Sequence, residues 1–295
     1  MALIVNAVFP PGLFTAPFMV HAFISGTAVA LAASLIGFFV VLRSSAFVAH
    51  ALPQVGFAGA AGALLMNASP LAGLVIFSLG GALGIGWMGH RGRHDAVTAL
   101  ILVLGLGTGS LFLAWNSTYA TGAYALLFGQ LVGVSAAGAA VTVLLTALAL
   151  AWLLILYRPL LYASVLRSNA EARGLSSYRL EMAFLLAVGI TAAITVPIVG
   201  VLLSFSLMIG PAAAARYLAK SPGQAMVLSA AIAVVTIWLS VILAYDVAWP
   251  IGFFVAAVTA VIYGVVRVAT GVRVAKSIKT PPCSEQETDN VHGCR

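Results

Sequence analysis

Long apolar runs, separated by short polar clusters, dominate this chain. Nothing between Asp95 and Arg158 carries a formal charge, nor does anything between Glu181 and Arg216, and roughly 20 consecutive apolar residues are enough for one helical membrane crossing. The alternating ten-residue pattern of a barrel strand is absent, so the runs read as helices whose backbone groups are satisfied internally. Spans are predicted over 21–42, 47–66, 71–88, 96–115, 136–156, 180–196, 199–215, 224–244 and 251–268. The fold class expected is all-α, a polytopic transmembrane bundle of about nine spans.

Composition supports this reading. Hydrophobic residues make up 62% of the 295 and charged residues 7%, whereas an ordinary soluble domain is about 25% charged. The net charge of +7 does not point to nucleic acid, because the bases sit in short loops between apolar runs, where they orient the chain in the bilayer. With the N-terminus outside and the C-terminus in the cytoplasm, nine crossings put all fourteen Lys and Arg residues on or near the cytoplasmic side. No Lys or Arg precedes Arg43, so the first helix is expected to stay as an anchor rather than act as a cleaved leader. Residues 1–272 form the expected membrane domain and 273–295 a disordered tail. The two cysteines, Cys283 and Cys294, lie in that tail, so no disulfide is expected in the membrane core.

The stretch from Asp95 to Arg158 starts and ends on one side, yet is longer than two crossings need. The surplus, TGAYALLFGQLVGVS with Gly129 and Gln130 near its middle, is expected to re-enter the membrane from outside. Irregular backbone at that depth survives only against protein or a water-filled cavity. TVPIVG, Thr195 to Gly200, makes the preceding span short: it is either an unwound binding segment or a tight outer turn. Gly80 and Gly84, and Gly105 and Gly109, have the four-residue spacing of close helix contacts. The longest inner loop is expected from Arg158 to Arg179. Its residues Asn169, Ala170, Glu171, Ala172, Arg173 and Gly174 read either as a short docking helix or as a solvated loop.

Four stretches in order resemble the permeases of the ABC importer family for zinc, manganese and iron: AHALPQVGFAGAAGALL from Ala49, YALLFGQLVGVS from Tyr124, NAEARGLSSYRLE from Asn169, and PIVGVLLSFSLMIGPAAAARYLAKSP from Pro197. The resemblance implies a homodimer of permeases, two cytoplasmic ATPase subunits docked on the Asn169 to Gly174 region, and an extracytoplasmic metal-binding protein, in a bacterial plasma membrane. It implies a divalent metal ion as cargo and no covalently bound cofactor. The chain has no GxxxxGK[ST] phosphate loop, so ATP hydrolysis would belong to a separate subunit.

By the same resemblance His50 lies on the metal path, and a neutral imidazole suits zinc, manganese or iron. In hydrogen-bonded packing between helices the same residue would serve structure alone. Much of the family carries an aspartate four residues before this histidine and an acid in the re-entrant segment; here Ala46 and Gln130 stand at those positions. The remaining candidate ligands are Ser204, Ser206 and Met208, with Asp246 near the outer end either attracting cations or capping a helix. His90 and His94 flank Arg91 and Arg93 in an inner loop, and the tail holds Cys283, His292 and Cys294 without the spacing of a zinc module. No GxSxG, HExxH or paired intramembrane acids suggest an enzyme. The alternatives are an ABC permease for a metal chelate or other small cargo, and a secondary transporter.

Overall fold

The structure is a computed structural model and describes residues 17–89, 94–115, 126–129, 133–165, 176–247 and 249–278. Among these, nine helices are long and apolar enough to cross a membrane: α1 (Pro17–Leu42), α2 (Ala46–Leu65), α3 (Pro70–Met88), α4 (His94–Trp115), α5 (Ala136–Val165), α6 (Ser177–Val199), α7 (Val201–Leu218), α8 (Pro222–Val247) and α9 (Ile251–Ile278). No strand occurs among the described residues.

The predicted spans match these helices in order, and the differences lie at their ends. α5 continues through Pro159 to Val165, so Arg158 is helical and the inner loop expected from it is shorter. α6 passes Pro197 and reaches Val199, so the short span expected there is a full one. Proline forfeits only one backbone bond within a helix that neighbouring helices hold in place. The corner falls instead at Gly200, which ends α6 and starts α7 with φ +95° and ψ 155°. That backbone region is essentially restricted to glycine. α9 extends to Ile278, into the segment expected as tail.

α1, α2 and α6 are the most enclosed helices. α2 packs chiefly on α3 and α4, α6 on α3, and α7 on α9, α1 and α8. Glycines set the closest crossings. A Cβ on Gly59 of α2 would lie 2.7 Å from the carbonyl carbon of Gly73 on α3, and one on Gly73 would lie 2.6 Å from that of Gly59. Gly105 and Gly109 of α4 meet the Cα atoms of Val55 and Ala58 in the same way, at 3.0 and 3.2 Å from an added Cβ. The expectation for Gly80 does not hold, since a Cβ there would meet nothing within 4 Å. The main core is built around Phe39, Leu52, Phe184, Leu185 and Leu207, all fully buried.

One end of the bundle gathers the bases. Arg43, just past α1, forms an ion pair with Glu181 on the first turns of α6, and its guanidinium lies 5.1 Å from the centre of the Phe184 ring. Arg267 of α9 donates to the Tyr217 hydroxyl of α7. A 320 Å³ cavity opens at this end between α1, α4, α5 and α6, and its polar lining includes Arg43, His94, Asp95 and Glu181.

Candidate functional site in the membrane core

α2 carries His50 on its second turn and Gln54 one turn further, so the 3.6-residue period places both on one face. Their Nε2 atoms are 3.0 Å apart. Gln54 is 6% exposed, while His50 is half-buried and meets the Phe205 ring of α7 edge to face at 5.1 Å. As placed, the Gln54 amide nitrogen donates to the His50 Nε2; the same contact with the amide turned over would have Nε2–H donate to the amide oxygen. A metal ion binding Nε2 would take the place of this contact, and the Gln54 amide oxygen would then lie within reach of the ion. Imidazole nitrogen and amide oxygen are both metal ligands.

Ser204, Ser206 and Met208 lie on α7, the helix that brings Phe205 to His50. Ser204 is fully buried and donates to the Val201 carbonyl oxygen at 3.0 Å. Ser206 donates to Leu203 at 2.6 Å and lines a 330 Å³ cavity between α7 and α9. Met208 is fully buried in the core, with its backbone against Gly37 of α1, where an added Cβ would lie 2.7 Å from the Met208 carbonyl carbon. Asp246 is exposed in the last turn of α8, and Ala46 opens α2. His94 starts α4 at the basic end, packed against Gly89. Among the described residues no three His, Cys, Asp or Glu side chains come together to hold a metal.

At the opposite end, residues 126–129 lodge against the α6–α7 corner. Gly129 has φ +80°, and a Cβ there would lie 2.5 Å from the Ile198 carbonyl oxygen and 2.7 Å from the Gly200 nitrogen. A Cβ on Gly200 would lie 2.6 Å from the Phe128 carbonyl carbon, and one on Gly252 of α9 would lie 2.8 Å from the Val199 carbonyl oxygen. Three glycines thus let the middle of the segment expected to re-enter, the corner and the start of α9 touch backbone to backbone. Of the two readings for TVPIVG, the geometry is the tight turn.

Gln54 escaped the sequence reading, although its i+4 spacing from His50 is the same signal as the missing acid at Ala46, applied in the other direction. Gln130, the Asn169 to Gly174 region, His90, Cys283, His292 and Cys294 lie outside the described residues.

Comparison with known proteins bears on what this arrangement serves. The manganese transport system membrane protein MntC of Listeria monocytogenes is 23% identical over 239 residues, covering 80% of this chain and 85% of the relative. The high-affinity zinc uptake system membrane protein ZnuB of Haemophilus influenzae is 25% identical over 216 residues, covering 70% and 82%. Among solved structures, PsaBC from Streptococcus pneumoniae in complex with Fab shares the fold with a TM-score of 0.76 at 22% identity, over 90% of this chain and 95% of that one. The model of the family described as ABC 3 transport family matches residues 15–270, and the chain belongs to that family.

Proposed function

We propose that this chain is the membrane permease of an ATP-driven importer for a divalent transition metal, manganese or zinc foremost. The observation that carries the reading is the His50–Gln54 pair, an imidazole and an amide on the most enclosed helix, both of a type that ligates metals, in a chain whose relatives include proteins named for manganese and zinc transport. Membership of an ABC family favours this over the secondary transporter.

In this reading two copies form the pathway in a bacterial plasma membrane, with N-termini outside and the basic end in the cytoplasm, as the distribution of Lys and Arg favours. Two ATPase subunits dock at that end near Asn169 to Gly174, and an extracytoplasmic binding protein delivers the ion at the Gly129–Gly200 end. ATP-driven closure of the ATPases moves the basic ends of α5 and α6, and the two permeases rock about a buried site. The Arg43–Glu181 pair ties the α1–α2 corner to the start of α6, so that motion is passed toward the helix that carries His50. A neutral pair holds a dication less tightly than a carboxylate pair would, which suits a site that must also release its cargo.

The test is uptake in cells lacking their own manganese and zinc importers, which express this chain with its ATPase and binding protein. Element analysis should show accumulation of one metal, lost when the ATPase phosphate-loop lysine is replaced. Accumulation independent of that lysine, or of no metal at all, contradicts the reading.

A further inference from the structure

A second cavity at the basic end lies apart from the His50–Gln54 pair and from the Arg43–Glu181 cavity. It has a volume of 190 Å³ and is enclosed by the ends of α1 and α7 and the start of α8. Its walls are apolar, with Phe38, Leu42, Ala212 and Ala225 among them, and its rim carries Arg216 and Lys220. These two cations are one helical turn apart in sequence, both exposed, and no acidic side chain among the described residues pairs with them; the ion pair among those residues, Arg43 with Glu181, lines the other cavity.

Two backbone N–H groups at this corner already have side-chain partners: Ser221 Oγ accepts from the Gln224 N–H at 3.3 Å, and Gln224 Oε1 accepts from the Lys220 N–H at 3.2 Å. The two basic side chains and the apolar walls are what the cavity offers a ligand. Both observations constrain the ligand: the cations require an anion, and an apolar interior beside the exposed Leu218 and Val227 gives a fully hydrated anion nothing to bury. A phospholipid offers both parts, a phosphate for the cations and hydrocarbon for the walls, at the depth where headgroups lie. We propose that this cavity binds the headgroup of an anionic phospholipid, with Arg216 and Lys220 on the phosphate and the acyl chains running along α7 and α8.

The experiment titrates fluorescent phosphatidylglycerol into the full-length protein held in phosphatidylcholine nanodiscs. Each basic residue near the surface contributes about 1 kcal/mol toward anionic lipid, so Arg216→Gln/Lys220→Gln together should weaken binding about thirty-fold. Lys220→Arg should retain it, and Arg158→Gln, a loss of charge elsewhere on α5, should leave it unchanged. All three positions are exposed in a folded chain, and retained His50-dependent metal uptake in the double variant confirms that it folds. Equal affinity in the double variant, or equal weakening by Arg158→Gln, overturns the proposal. Displacement of the lipid by millimolar inorganic phosphate would assign the cavity to a free anion. Displacement by a peptide of residues 282–292 would assign it to the chain's own acidic tail, and either result also overturns the proposal.

Discussion

Replacing Gly200 by Ala perturbs one corner in two ways. The backbone there has φ +95° and ψ 155°, a region closed to residues with a Cβ except at a cost of about 1–3 kcal/mol. The new Cβ would lie 2.6 Å from the Phe128 carbonyl carbon and 2.7 Å from the Gly129 nitrogen. Backbone atoms cannot rotate away as a flexible side chain does, so residues 126–129 must move off the corner, and overpacking of this kind costs about 1–3 kcal/mol. The two effects together give roughly 2–6 kcal/mol. Gly80→Ala is the matched control: an added Cβ meets nothing within 4 Å, and Ala is favoured over Gly inside a helix by up to about 1 kcal/mol. Thermal unfolding of the detergent-purified protein, followed by tryptophan fluorescence, should show Gly200→Ala melting well below the wild type and Gly80→Ala at or above it. Gly200→Ala melting with the wild type would refute the backbone contact between residues 126–129 and the corner.

Gly37→Ala should also destabilise, because its Cβ would drive α1 from the Met208 backbone of α7; the same melting assay shows it, and a wild-type midpoint would contradict the crossing. Gln54→Leu removes the amide oxygen that would join His50 on the ion and should lower metal affinity about ten-fold, measured as a rise in the half-saturating metal concentration for uptake, while Gln54→Asn, too short to reach, should behave alike. Arg43→Gln and Glu181→Gln should be coupled in a double-mutant cycle by at least about 0.5 kcal/mol, since the two side chains are only 16% and 22% exposed; additive effects would mean that the pair does not bind α6 to the α1–α2 corner.

The helices were legible because each apolar run is long enough to span and a charge cluster or turn stands between most of them. Their ends were less so. Pro159 and Pro197 look like stops when read in isolation, but packing supplies what the missing N–H loses, and both helices pass through them. Glycine contacts divide along the same line. Gly105 and Gly109 face α2, whereas α2 and α3 meet through Gly59 and Gly73, a pairing between two helices that no spacing within one helix reveals. The His50–Gln54 bond was legible in principle, as both residues lie within one turn of a single helix. The separation of Asp246 from His50 was legible only through the topology, which places them toward opposite ends.

The measurement that tests the account most directly is ATP-driven accumulation of manganese and zinc in proteoliposomes holding the permease, its ATPase and its binding protein, for the wild type and His50→Ala side by side. The account predicts accumulation of one of these metals by the wild type and its loss in His50→Ala, with ATPase assembly unchanged. Equal accumulation by His50→Ala would remove the His50–Gln54 pair from the metal path.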